Sequence, residues 1–443
     1  MERFVIRGGN KLNGKITISG AKNAALPIIA ASVFAGEPCR IENVPEISDV
    51  RMMGKILRYI GAEVTMPEPG VMVVDSKNVK ADITIPDEMT RKLRASYYLL
   101  GALLSNFGKA CVALPGGCYF GVRPIDQHIK GFEALGAKVD IENALVNVQC
   151  DELYGSSIYL DVVSVGATIN VMLAAVKAKG LTVIENAARE PHIVDLANFL
   201  NSMGANISGA GTDTIKIKGV ESLHGTTYAI IPDMIEAGTY MTAVAATGGE
   251  LTLCGVIPKH MESVTAKLQE IGVTVIEDDS EITVRSNRIY RGTEIKTNPY
   301  PGFPTDMQPQ IAALLSLAQG TSIVTDSVWN SRFRYTDEFK RMGAQIQVDG
   351  NLAIIEGVER LTGAQLEACD LRAGAAMVIA GLAAQGVTEI DAIYQRIADS
   401  DIIVDIAAGN EGTSSYDNMW GTDLNLSAHP DNATISSQII SKF

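Results

Sequence analysis

The sequence predicts a two-domain α/β fold assembled from six repeats, the sixth degenerate. Three observations lead there. A helix–glycine–strand signature returns along the chain, a second set of apolar helices accompanies it, and the chain outgrows a single core. Its 443 residues exceed the roughly 250–300 that one hydrophobic core organises, so two domains are expected.

The signature reads ILRYIGAEV, FEALGAKVDI, FLNSMGANI, KLQEIGVTVIE and EFKRMGAQIQV, with its glycines at Gly61, Gly136, Gly204, Gly272 and Gly343. Glycine just past a helix end takes the left-handed conformation cheaply and turns the chain into a strand. Periodicity then switches from helical to alternating, as in Ala137-Lys138-Val139-Asp140-Ile141. Six further segments are apolar nearly all round: ALPIIAASVFAG, SYYLLGALLSNFG, TINVMLAAVKAKG, GTYMTAVAATGG, QPQIAALLSLAQG and AAMVIAGLAAQG. Such helices belong inside a ring of sheets rather than at a surface. Against six apolar helices there are only five signatures. A sixth would fall near Gly409, where DIIVDIAAGNEGTSSYD offers no strand-like continuation.

Composition is that of a soluble globular protein, 47% hydrophobic and 20% charged. A net charge of -14 gives no general attraction for nucleic acid or an anionic membrane. No apolar run reaches the roughly 18–20 residues of a membrane span, and the start, MERFVIRGGNKLNGKITISG, is no signal peptide. A cytoplasmic protein is expected. The six cysteines lack metal-ligand spacing, so no metal is expected. Five of them read as small buried hydrophobes.

Four segments are too particular for scaffold. Lys22 and Asn23 open the first apolar helix, where a cation beside a helix N-terminus suits an anion; alone, Lys22 also reads as an exposed lysine. Cys118 sits in the glycine-rich LPGGCYFGVRP with Arg123 five residues on, the access and positive neighbour that a reactive thiol needs. Asp306 follows the rigid YPGFPT lead into a buried helix; alone it reads as an ordinary N-cap. Arg94, Arg332 and Arg372 lie at helix starts and strand ends, with Asp370 two residues before Arg372. Isolated arginines are usually solvated, but several in one cleft clamp a polyanion.

In combination, SGAKNAALP, LPGGC-x-x-G-x-RP-x-D-x-H, VSVGAT, ENAAREP, FPTDMQ and DLRA resemble the UDP-N-acetylglucosamine enolpyruvyltransferase family of the EPSP synthase superfamily, from Arg3 to about Tyr394. The resemblance implies the two-domain enolpyruvyl transferase fold, an inside-out α/β barrel. Residues 22–230 would form one domain, residues 1–21 with 231–400 the other, and 401–443 an atypical tail. It implies transfer of the enolpyruvyl group of phosphoenolpyruvate to the 3′-hydroxyl of UDP-N-acetylglucosamine, the first committed step of peptidoglycan synthesis, in an interdomain cleft. No cofactor, nucleic acid or membrane is implied, and a monomer is expected. Cys118 matches the family's loop cysteine, active in proton transfer and product release, modifiable by phosphoenolpyruvate and the target of fosfomycin. Asp306 matches the base. Lys22 and Arg123 match phosphate ligands; Arg332 and Arg372, with Asp370 beside them, match partners of the substrate carboxylate. Asn23, Arg94, Pro124, Asp126, Ser164, Val165, Gly166 and Val328 match positions near the UDP-sugar.

The chain departs from the family after Tyr394. It reads Gln395-Arg396-Ile397-Ala398-Asp399-Ser400-Asp401 where the family carries His-Ile-Asp-Arg-Gly-Tyr, whose arginine contacts the phosphate. A change of reading frame near residue 395 accounts for this, as would divergence with Arg396 displaced but usable. Roughly residues 400–443 are expected to pack poorly, lacking the repeat's period. Three readings follow: an active transferase, an impaired paralogue that binds the UDP-sugar as a sensor, or a gene product that folds only in part.

Overall fold

The structure is a computed structural model and describes residues 3–80, 83–113, 125–329, 332–391 and 424–426. The chain divides into two compact units, Gly20–Ile231 and Met1–Ser19 with Pro232–Phe443. Each has its own apolar core.

The Gly20–Ile231 unit wraps three sheets around the helices Lys22–Ala31, Tyr98–Phe107 and Val165–Ala175. These helices are buried along most of their length, including every residue from Ala24 to Ala31 and from Ala167 to Ala175. Apolar residues on all faces leave such a helix no stable place in water, and each fully buried Leu or Ile contributes about 1.5–3 kcal/mol. Outside lie the amphipathic helices Ser48–Tyr59, Asp126–Ala134 and Pro191–Ser202. The other unit repeats the plan. Its sheets surround Met234–Thr247, Gln308–Leu315 and Leu371–Ala383, with Glu262–Ile271 and Thr336–Arg341 outside.

One sheet shows the shared topology. Ser157–Tyr159 runs parallel to Leu181–Glu185, across the buried helix Val165–Ala175. Leu181–Glu185 then pairs antiparallel with Thr214–Lys218, which forms a hairpin with Asn206–Ser208. The five signature glycines all have positive φ, from 93° at Gly343 to 113° at Gly272. Each is followed by the outer strand of such a hairpin, beginning at Glu63, Lys138, Asn206, Thr274 and Gln345. The glycines at the ends of the six apolar segments, Gly36, Gly108, Gly180, Gly248, Gly320 and Gly386, have positive φ as well. The repeat is therefore real in backbone geometry, six-fold for the inner helices and, among the described residues, five-fold for the outer signature.

The sixth sheet is built differently. Gln365–Glu367 and Val387–Asp391 are parallel, as in four of the other five sheets, but the next strand is Arg3–Arg7. Leu424–Leu426 then pairs parallel to Arg3–Arg7, where the other five sheets place the outer strand of an antiparallel hairpin. The rest of the expected tail lies outside the described residues. One expectation needs correcting: of the five cysteines expected to be buried, only Cys39 is, while Cys111, Cys150, Cys254 and Cys369 are half-buried. Burial pushes the Cys39 thiol up to about 11, making it inert. Cys111 lies on a short strand, Cys254 ends one, and Cys150 and Cys369 follow strand ends, places a small sheet leaves partly open.

Candidate active site

In the unit that includes Pro232 onward, parallel strands end where the buried helices begin, the usual place for a ligand site in such arrangements. Glu294–Thr297 and Thr321–Asp326 end in register at Thr297 and Asp326. The short helical turn Thr305–Met307 leads into Gln308–Leu315, and a second turn starts at Arg332. Asp306 is gripped from two sides. Arg332 Nη2 donates to its Oδ1 at 3.0 Å, and Arg372 Nη2 to its Oδ2 at 2.8 Å. The arginine side chains are only 6% and 11% exposed, against 31% for Asp306, so the carboxylate is the open member of the cluster.

Two other acids lead into the buried helices of this unit and do something else. Asp233 and Asp370 each precede a buried helix and cap it, accepting from the amides of Ile235 and Glu236, and of Arg372 and Ala373. That is the ordinary use of Asp at a helix start. Asp306 caps neither its turn nor the helix beyond; both its oxygens face guanidinium groups. Burial alone would raise its pKa, but the charges of Arg372 and Arg332 outweigh burial and hold the carboxyl well below the usual carboxylate range. Burial likewise works against the Arg372 charge, and Asp306 with Asp233 and Asp370 more than offsets it. Val328 is exposed on the turn after Thr321–Asp326, and its amide donates to Asp326.

In the Gly20–Ile231 unit, Lys22 begins its helix and pairs with Asp49 at 2.6 Å. Asn23 beside it is exposed. Ser164 caps the buried helix Val165–Ala175 by accepting from Ala167 N. Gly166 lies in that helix's first turn, where a Cβ would sit 2.7 Å from the Tyr97 hydroxyl and 3.1 Å from His128 Nε2. Only glycine lets the helix N-terminus approach these rings. Asn170, fully buried, donates to His128 Nδ1 at 3.1 Å and accepts from Gly101 N at 3.0 Å. With Nδ1 accepting, His128 carries its proton on Nε2. Burial lowers its pKa to about 4, so the ring is neutral near pH 7. Asp126 is exposed and accepts from Gln127, which also reaches Asp161 on the approach to Ser164.

The family model described as EPSP synthase (3-phosphoshikimate 1-carboxyvinyltransferase) matches residues 6–396. A UDP-N-acetylglucosamine 1-carboxyvinyltransferase from Clostridium botulinum is 59% identical over 392 residues, covering 88% of this chain and 94% of that protein. The chain belongs to the UDP-N-acetylglucosamine 1-carboxyvinyltransferase family. Another relative in this family, UDP-N-acetylglucosamine 1-carboxyvinyltransferase 3 from Caldanaerobacter subterraneus subsp. tengcongensis, is 56% identical over 394 residues, with 89% and 94% covered. Among solved structures, the enolpyruvyl transferase NikO from Streptomyces tendae superposes with a TM-score of 0.81 at 27% identity, covering 90% of this chain and 94% of its own. An EPSP synthase from Acinetobacter baumannii shares the fold at a TM-score of 0.74 and 22% identity, with 92% and 98% covered.

The match to the superfamily model stops at residue 396, beside the point where the expected phosphate-contact motif is replaced. Of the residues picked from the family pattern, Asp306, Arg332 and Arg372 are brought into direct contact, and Asp370 supports them by capping the helix that carries Arg372. Cys118, Arg123 and Pro124 lie outside the described residues, as does the Arg94 side chain. Sequence reasoning missed Asp49, which partners Lys22, and the Asn170–His128 pair. It also missed Thr305 and Asp326, which touch the Asp306 cluster. His128 closes the LPGGC-x-x-G-x-RP-x-D-x-H motif and Thr305 lies in FPTDMQ, but nothing local shows their contacts, because the partners come from other elements of the repeat.

Proposed function

We propose that the chain transfers the enolpyruvyl group of phosphoenolpyruvate to the 3′-hydroxyl of UDP-N-acetylglucosamine with release of phosphate, in peptidoglycan synthesis. The observation that carries this for the site is Asp306 held between Arg332 and Arg372. In this reading the two guanidinium groups take the substrate carboxylate, and Asp306 takes the proton of the sugar hydroxyl. The hydroxyl oxygen bonds to C2 of phosphoenolpyruvate while C3 gains a proton. Loss of phosphate from C2 and of a proton from C3 then gives the enol ether. Cys118 serves the proton transfers and product release; Lys22 and Arg123 hold the phosphate. Asn23, Arg94, Pro124, Asp126, Ser164, Val165, Gly166 and Val328 hold the nucleotide sugar, and Asp370 orients Arg372.

A carboxylate gripped by two arginines is a weak base. A substrate carboxylate that shares the same guanidinium groups loosens that grip, and the Asp306 pKa rises as the anion binds. Base strength thus arrives with the substrate. Phosphate release from phosphoenolpyruvate in the presence of UDP-N-acetylglucosamine, abolished in Cys118→Ala, is the expected result. A second reading is favoured by the end of the superfamily match at residue 396. In it the chain binds the UDP-sugar without turning it over, which calorimetric binding with no phosphate release would establish.

A further inference from the structure

The Asp306 cluster rests on a polar chain that the reaction itself does not call for. Asp326 is 1% exposed, at the end of its strand. Its Oδ1 accepts from Thr297 Oγ1 at 3.1 Å and from the amides of Val328 and Trp329, both at 2.9 Å. Its Oδ2 accepts from Thr305 Oγ1 at 2.8 Å. Four donors converge on one buried carboxylate, three on Oδ1 and Thr305 on Oδ2, so the acid is held in a fixed orientation. Thr305 has one hydroxyl hydrogen, and donating it to Asp326 turns the oxygen's lone pairs outward. Arg332 Nη1 donates into them at 3.0 Å, while Nη2 of the same guanidinium reaches Asp306. The fork is thereby fixed at two points, as a planar guanidinium requires for directional binding.

We propose that Asp326 and Thr305 are positioning residues. They form a relay in which one buried carboxylate orients Arg332 toward Asp306 and, through the Val328 and Trp329 amides, sets the turn that carries Val328. The proposal rests on the functional reading above, since it assigns Arg332 to phosphoenolpyruvate and Val328 to the nucleotide sugar. Neither Asp326 nor Thr305 touches substrate. Thr305 serves one ligand only, whereas Asp326 serves both. Replacing the acceptor Oδ2 by an amide NH2 would reverse the relay, because the hydroxyl hydrogen of Thr305 would then point at Arg332.

The test compares Thr305→Val, Thr305→Ser and Asp326→Asn with the unaltered protein. Affinities for phosphoenolpyruvate and UDP-N-acetylglucosamine are measured by calorimetry, and KM and kcat by phosphate release. Thr305→Val weakens phosphoenolpyruvate about tenfold, the scale of a misdirected charged hydrogen bond, and leaves the nucleotide sugar unchanged. Thr305→Ser keeps the hydroxyl and restores affinity. Asp326→Asn weakens both ligands. A merely structural role would lower the melting temperature without separating the two ligands. Thr305→Val with unchanged affinity for phosphoenolpyruvate, or Thr305→Ser as impaired as Thr305→Val, overturns the proposal. Should Thr305→Val not fold, Thr305→Ala replaces it under the same criteria. An unaltered protein that binds neither ligand would overturn the functional reading itself, an outcome distinct from any of these.

Discussion

Three aspartates lead into the buried helices of one unit, and only one of them does not cap its helix. Asp233 and Asp370 accept from backbone amides at the starts of their helices, while Asp306 accepts from side chains. The difference is expected in mutants. Asp370→Ala should cost about 1 kcal/mol, the value of an N-cap. Asp306→Asn leaves two nearly buried guanidinium groups facing an amide instead of a charge, and a destabilisation of about 3–5 kcal/mol is expected where a buried pair is broken. Turnover should also fall about 10²–10⁴-fold, the range for losing a positioned base. Urea unfolding measures the first effect, and phosphate release from the folded fraction the second. Turnover within a factor of a few of the unaltered protein would remove Asp306 from the proton transfer. The sequence shows Asp306 after a rigid lead and before an apolar helix, but nothing in FPTDMQ separates a cap from a base. That depends on where the Arg332 turn and the Leu371–Ala383 helix start, which sequence-distant strands decide.

At the scale of elements, the buried helices are legible because their composition admits no other place. Their mutual approach is not, since it turns on single atoms. At Gly101 a Cβ would lie 2.4 Å from the backbone oxygen of Asn170, between the helices Tyr98–Phe107 and Val165–Ala175. Backbone cannot swing aside as a side chain can, so Gly101→Ala should destabilise by about 1–3 kcal/mol, the cost of overpacking a filled core. It should also disturb the Asn170–His128 pair beside the Val165–Ala175 N-terminus. Gly54 in the outer helix Ser48–Tyr59 is the counter-example. There a Cβ meets only Val64 Cγ1 at 3.6 Å and Met72 Cε at 3.7 Å. Gly54→Ala should stabilise by about 0.5–1 kcal/mol through helix propensity. Opposite shifts in urea midpoint are the expected outcome, and shifts of the same sign would contradict this account of the packing.

For the whole molecule, two buried groups in the Gly20–Ile231 unit give opposite responses to acid. Asp195, 2% exposed, has its pKa pushed by burial from 3.8 up to about 6, although it accepts from the Tyr228 hydroxyl and the Ile231 amide. Its folded-state pKa is raised, so its protonation favours the fold as pH falls from about 6 to about 4, and that gain disappears as pH climbs back through 6. His128 is lowered from 6.5 to about 4, so its contribution is full above 6.5 and is lost as pH falls toward 4. Each amounts to up to about 3 kcal/mol, with opposite signs over the same pH range. Asp195→Asn removes one side of the balance. Between about pH 6 and pH 4 its stability should fall more steeply on acidification than that of the unaltered protein, measured by urea unfolding; matching profiles would rule the balance out. Two domains and six repeats could be foreseen from glycine spacing and apolar helices. The final sheet could not, because its register joins opposite ends of the chain: Arg3–Arg7 pairs with Val387–Asp391. During synthesis this strand is made before the whole Gly20–Ile231 unit, and its partner Val387–Asp391 after it. Phe4 and Ile6, 2% and 0% exposed once folded, must travel uncovered while the Gly20–Ile231 unit folds behind them. The last sheet is thus a step open to chaperone capture and to aggregation in a growing cell.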